Sequence, residues 1–196
     1  VERLQILVLD GEIGLGPDPG DGPGADRHRG IGPVVSSAHL AASGLPELSE
    51  VEYALTMANH AFQRWITRCM DAAGAPGMAP LEVLILHLVN HRDRPKSLAD
   101  IRLVLHIEDA HLVSYAVRKL SQRKLVTTAR KGKEKTVEIT SEGAALCTRY
   151  AEVREALLVE LARETGFPPE EMSRLAALLR AISGSYDHAA RAATTL

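Results

Sequence analysis

The densest chemistry in this chain is cationic. Arg118, Lys119, Arg123, Lys124, Arg130, Lys131, Lys133 and Lys135 follow one another with only Glu134 opposing them. That stretch carries +7 in a chain of net charge −2, so the remainder carries −9. A cationic block on an acidic body can hold a polyanion at one face while the rest keeps the protein soluble. Just upstream, His111, Ser114, Tyr115 and Arg118 recur at helical spacing. Their side chains donate and accept hydrogen bonds, which is what reading base edges in the major groove requires. A solvated charged loop is the plainer account of any charge run, and only the surrounding elements separate the two.

Other chemistries have thinner support. Eight histidines raise the question of metal. His87 and His91 stand one helical turn apart, and His106, Glu108 and His111 cluster. No further ligand is set by spacing, so no metal is expected. Cys69 and Cys147 make neither a disulfide framework nor a zinc pattern. Cys69 falls on an apolar seam and Cys147 beside one, where cysteine acts as a small hydrophobe rather than a cation-activated thiol. Gly14-Leu15-Gly16 is followed by Pro17 and Pro19 with no Gly-Lys-Ser/Thr, which excludes a phosphate loop. No nucleophile is paired with a base, so neither catalysis nor a cofactor is expected.

The elements that must position these residues are mostly helical. Leu4 to Leu9 reads as a short strand, and Gly11 to Pro33 is too rich in Gly, Pro and Asp for a regular element. From Pro46, the positions Leu48, Val51, Leu55, Ala58, Phe62, Trp65 and Cys69 form one long apolar seam, ended by Gly74 and Pro76. Pro80 to His91 is a second helix, with Leu81, Leu84, Ile85, Leu88 and Val89 inward. Arg92 to Lys96 reads as a polar turn. Ser97 caps a third helix bearing Leu98, Ile101 and Val104 or Leu105 inward. Asp109 caps a fourth, running to about Gln122 and burying Leu112, Val113, Ala116, Val117 and Leu120. Leu125 to Thr128 and Thr136 to Ile139 pair as a hairpin across a basic turn. Thr140 or Ser141 caps a fifth helix with Leu146, Tyr150, Val153, Leu157 and Leu161 inward, stopping near Gly166. A sixth opens at Pro168-Pro169 and carries Met172, Leu175, Leu179, Ile182 and Tyr186.

Helix, short helix, turn, helix and basic hairpin in that order make the winged helix-turn-helix plan. Here the chain resembles the MarR family of bacterial transcriptional regulators. The match runs through Pro80-Leu81-Glu82-Val83-Leu84-Ile85-Leu86-His87-Leu88, Ser97-Leu98-Ala99-Asp100-Ile101, Val113-Ser114-Tyr115-Ala116-Val117-Arg118-Lys119-Leu120, Lys124-Leu125-Val126 and Thr140-Ser141-Glu142-Gly143. The family's Asp-x-Arg in the wing is replaced by Lys131-Gly132-Lys133-Glu134-Lys135, and its glycine before Leu125 by Lys124. The resemblance implies a mainly α fold with a small β-hairpin wing, flanked by long dimerisation helices. It implies a homodimer on double-stranded DNA and a small-molecule effector.

The expected DNA-binding set is Ser97, His111, Ser114, Tyr115, Arg118, Lys119, Arg123, Lys124, Arg130, Lys131, Lys133 and Lys135. His111, Ser114, Tyr115 and Arg118 approach bases, while Lys119, Arg123 and Lys124 meet phosphates and the wing cations lie along the backbone or minor groove. An effector pocket is placed at His60, Arg64 and His87. The expected organisation is an N-terminal strand and arm over 1–45, a dimerisation helix over 46–75, the DNA-binding domain over 76–140 and C-terminal dimerisation helices over 141–196. The apolar run Ile6 to Leu9 is far too short to span a membrane, so a cytoplasmic location is expected. A winged helix used only for protein–protein contact is the alternative function.

Overall fold

The computed structural model describes residues 34–196 apart from Ser43, Asp93, Lys133 and Phe167. The strand expected at Leu4 to Leu9 and the arm at Gly11 to Pro33 lie outside these residues. The chain divides into two compact units, Val1–Glu50 and Val51–Leu196. In the first, a single helical turn α1 (Ala38–Ala41) precedes the start of α2 (Pro46–Ala72). The buried Ser49 hydroxyl donates to the Leu40 carbonyl at 2.9 Å, holding that turn to the helix.

The second unit holds the rest of α2 and then α3 (Pro80–Asn90), β1 (Lys96–Ser97), α4 (Leu98–Leu105), α5 (Ala110–Gln122), β2 (Val126–Lys131), β3 (Glu134–Ile139) and α6 (Ser141–Arg154). A π-helical turn (Glu155–Val159) leads into α7 (Glu160–Glu164), and α8 (Pro169–Ala193) comes last. This is the mainly α, winged fold that the sequence implied. Its core joins Ile66, Cys69 and Met70 of α2, Val83, Ile85, Leu86 and Val89 of α3, Ile101 of α4, four residues of α5 and Leu146, Cys147 and Tyr150 of α6. Each fully buried Leu, Ile or Val there contributes about 1.5–3 kcal/mol through removal from water.

Local chemistry sets the helix ends. Ser97 Oγ accepts from Asp100 N–H at 3.0 Å while Asp100 returns the bond to Ser97 N–H at 3.1 Å, a reciprocal cap. Asp109 Oδ1 accepts from His111 N–H at 2.7 Å. Thr140 Oγ1 accepts from Gly143 N–H at 3.0 Å. Helices α4 and α5 end alike, with His106 and Lys124 left-handed at φ 51° and 60°. Ile107 N–H reaches back to the Arg102 carbonyl and Leu125 N–H to that of Leu120, so orphan carbonyls are satisfied at both ends.

Several expectations need correction. Lys96–Ser97 is a strand, not part of a turn: β1 pairs antiparallel with β3, Lys96 opposite Val137, giving the order β1-β3-β2. Two residues are too few to show a period, so only the partner strand reveals it. The wing strands are also longer than expected. On α6 the inward seam stops at Val153, and Leu157 and Leu161 are each 53% exposed. The π turn after α6 holds more residues per turn and rotates these leucines off the seam. On α2 only the C-terminal part of the seam is buried; Val51, Leu55 and Phe62 are exposed.

Candidate nucleic-acid interface

Helix α5 buries Val113, Ala116, Val117 and Leu120 and turns its opposite face to solvent. His111, Tyr115 and Arg118 stand on that exposed face, while Ser114 and Lys119 flank it half-buried. Tyr115 is a platform: the Arg118 guanidinium lies 5.8 Å and the Lys119 ammonium 5.6 Å from its ring centroid. A cation at that distance is drawn to the ring face, which orders two flexible side chains before any partner arrives. Gln122 shares the exposed stripe, one helical turn beyond Arg118, and sequence reasoning passed over it. Its position three and four residues along the His111–Arg118 pattern was the available signal.

Leu112 is a correction. Expected in the core, it is 53% exposed and lines a cavity of about 470 Å³ with Phe62, Leu81, Leu84 and Ile107. The core of α5 is centred between Val113, Val117 and Leu120, and Leu112 falls at the edge of that arc.

The turn between α4 and α5 is stapled by Arg102. Its Nε donates to the Ile107 carbonyl at 3.3 Å and its Nη2 to that of Glu108 at 2.6 Å. Next to this turn, His106 Nδ1 lies 3.5 Å from Asp187 Oδ2 of α8.

In the wing, the register sets Arg130 directly opposite Lys135 and Lys131 opposite Glu134. Arg130 and Lys135 are both exposed, so two cations repel across the strands unless an anion lies between them. Gly132 makes the turn at φ 65°. Lys133 lies outside the described residues. Two of the expected phosphate contacts have structural duties: the Arg123 guanidinium donates to the Pro76 carbonyl at 3.0 Å, and Lys124 is the left-handed cap. Ser97 is half-buried with its hydroxyl in the α4 cap.

The expected effector residues do not converge. His60 and Arg64 line an open cavity of about 370 Å³ on α2 with Gln63, Thr67 and Pro80. His87 stands elsewhere, edge-on to Tyr150 with ring centroids 4.4 Å apart, and its buried Nε2 has no hydrogen-bond partner among the described residues. Burial holds its pKa below the ordinary histidine value. Among the described residues no group of three or more His, Cys, Asp or Glu is placed to hold a metal. None of the described helices is long and apolar enough to cross a membrane.

Residues 78–143 match the winged helix DNA-binding domain family. They fold as a winged helix. Solved structures extend the likeness to the flanking helices. A MarR family regulator from Neisseria meningitidis superposes with a TM-score of 0.58 at 14% identity, covering 72% of this chain and 94% of that one. CouR from Rhodococcus jostii RHA1, solved bound to p-coumaroyl-CoA, gives 0.57 at 15%, covering 67% and 90%. MepR from Staphylococcus aureus, solved in complex with DNA, gives 0.55 at 18%, covering 68% and 96%. At these identities the likeness is one of fold, and the fold is that of MarR regulators. No curated protein matches the chain significantly.

Proposed function

We propose that this protein is a homodimeric, sequence-specific transcriptional regulator of the MarR type, acting as a repressor that a small-molecule effector releases. It acts in the cytoplasm by binding rather than by catalysis. One observation carries the DNA-binding reading: the exposed His111–Tyr115–Arg118 stripe of a winged-helix domain, followed directly by a wing with Arg130 opposite Lys135. An α-helix fits the major groove, and the wing cations would neutralise phosphates alongside it.

The organisation we propose assigns 76–140 to DNA and 46–75 with 141–196 to dimerisation, with 1–45 as an arm. Exposed Val51, Leu55 and Phe62 on α2 and Met172, Leu175 and Leu178 on α8 support it, because apolar helix faces of this length call for a partner. MepR solved with DNA and CouR solved with p-coumaroyl-CoA support a DNA target and an effector, respectively. The cavities beside His60 and Arg64, and beside Leu112 and Phe62, are where we place the effector.

Fluorescence anisotropy on the protein's own upstream DNA, over a salt series, tests this. Wild type should bind with a steep salt dependence. Arg118→Ala should cost about 1–3 kcal/mol and relax preference at one position. Replacing Arg130 and Lys135 with Ala should weaken binding to all sequences and make the salt slope shallower by about two. Weak binding that ignores sequence in the wild type would overturn this reading in favour of a protein-binding winged helix.

A further inference from the structure

The end of α3, the turn after it and the outer side of α4 enclose a cavity of about 410 Å³. It shares no residue with the exposed stripe of α5, the wing strands or the His60–Arg64 cavity. One side is apolar: Leu88, Ile101, Leu103 and Val104. The other is cationic: Arg92 and Arg94 are exposed, and Lys96 is buried. We infer that this cavity binds a small amphipathic carboxylate, its apolar body against α4 and its charge on Arg92 and Arg94.

Charge comes first. Residues 92–96 hold Arg92, Arg94 and Lys96 against Asp93, a local net of +2. Neither guanidinium makes an ion pair or hydrogen bond among the described residues. Arg163, by contrast, is paired with Glu155 and Glu160, and Arg149 with Glu142. A guanidinium presents a planar fork that suits a carboxylate, and two of them define where the charge sits. Asp100 also lines the cavity, but its carboxylate is already engaged by Ser97 N–H in the α4 cap.

The apolar wall is equally specific. Leu103 is 76% and Val104 56% exposed, neighbouring apolar side chains left in water on a helix whose Ile101 is fully buried. A ligand with an apolar body would cover both. The cavity lies in the range of small-molecule sites. An α-helix about 10–12 Å across would not enter it, which favours a small acid over a helical peptide.

The site is also built before the ligand arrives. Lys96 Nζ donates to the carbonyls of Arg92 at 3.0 Å and Arg94 at 2.7 Å, so the turn bearing both arginines is tied down from beneath. Arg92 is held left-handed at φ 57°, a conformation a non-glycine residue keeps only when its surroundings impose it. Preorganisation of this kind lowers the ordering cost of binding.

Methyl-labelled full-length protein titrated with octanoate, and separately with 1-octanol, tests the inference by NMR. Octanoate should shift the Leu88, Ile101 and Val104 methyls saturably, and octanol should bind about tenfold more weakly for lack of the charge. Arg92→Gln with Arg94→Gln should cost octanoate about tenfold with the rest of the methyl spectrum unchanged. Leu103→Glu, an exposed change, should exclude octanoate independently. Equal binding of octanol and octanoate would overturn the inference. So would saturable shifts confined to other helices, or undiminished octanoate binding in both variants.

Discussion

The α-carbon of Gly143 sits against the carbonyl of Leu125, so closely that a β-carbon there would lie 2.2 Å from that oxygen and 2.7 Å from Ile139 Cδ1. The approach is fixed by Thr140, whose N–H donates to the Leu125 carbonyl at 3.1 Å and whose hydroxyl donates to the Lys124 and Leu125 carbonyls at 2.8 and 2.9 Å. The start of α6 is thereby clamped to the strand that carries the wing. Gly143→Ala must push the helix from the sheet, and we expect a loss of about 2–3 kcal/mol in urea unfolding. A loss within about 0.5 kcal/mol would show that the clamp is slack.

Lys124 occupies a left-handed cap that glycine would fill without strain. Lys124→Gly should therefore raise stability by about 1 kcal/mol, the relief of the β-carbon clash in that conformation. A lower denaturation midpoint would mean that the Lys124 side chain contributes more than its backbone conformation costs. If Lys124 meets a phosphate, the same variant should also make the salt slope of DNA binding shallower by about one.

His87 is disfavoured as a cation by burial, which lowers its pKa from the ordinary 6.5. Above that value both folded and unfolded chains hold a neutral imidazole, and its contribution to stability is fully present. As pH falls below it, the unfolded chain takes up the proton first, and stability declines until the lower folded pKa is passed. His87→Phe keeps a ring beside Tyr150 and removes the titration. Melting temperatures from about pH 8 to pH 5 should fall more for wild type than for His87→Phe. Parallel curves would assign the acid loss to other groups.

Both thiols are held protonated. Burial pushes Cys147 up to about 11. It also raises Cys69, partly offset by a hydrogen bond with the Tyr150 side chain and by the charge of Arg154. Because the thiolate is the reactive form, iodoacetamide at neutral pH should leave both unlabelled in native protein and modify both in urea. Rapid native labelling of either would expose a reactive cysteine that this packing denies. Oxidant sensing by these residues is not expected for the same reason.

The helix boundaries were legible because their causes are local. Ser97 with Asp100, Asp109 before α5 and Thr140 before α6 each act within one helical turn. The core of α5, Leu112 aside, followed from spacing, and the basic wing from two strand patterns about a glycine turn. On α3 the expected inward set kept Ile85 and Val89 in the core but missed the fully buried Val83 and Leu86. Gln122 was equally readable from its spacing and was missed.

What the sequence by itself determined is the order of elements, the winged-helix plan and the face of α5 that carries His111, Tyr115 and Arg118, since periodicity and capping depend only on neighbours in the chain. Tertiary structure alone decided the rest. It made Lys96–Ser97 a strand, because β3 supplied the partner. It left Leu112 at the edge of the core and rotated Leu157 and Leu161 off their seam through a π turn. It parted His87 from His60 and Arg64 by packing it on Tyr150, and it gathered Arg92, Arg94, Leu103 and Val104 around one cavity. Each of these depends on which surfaces meet after folding, and distance between surfaces is not written in residue spacing.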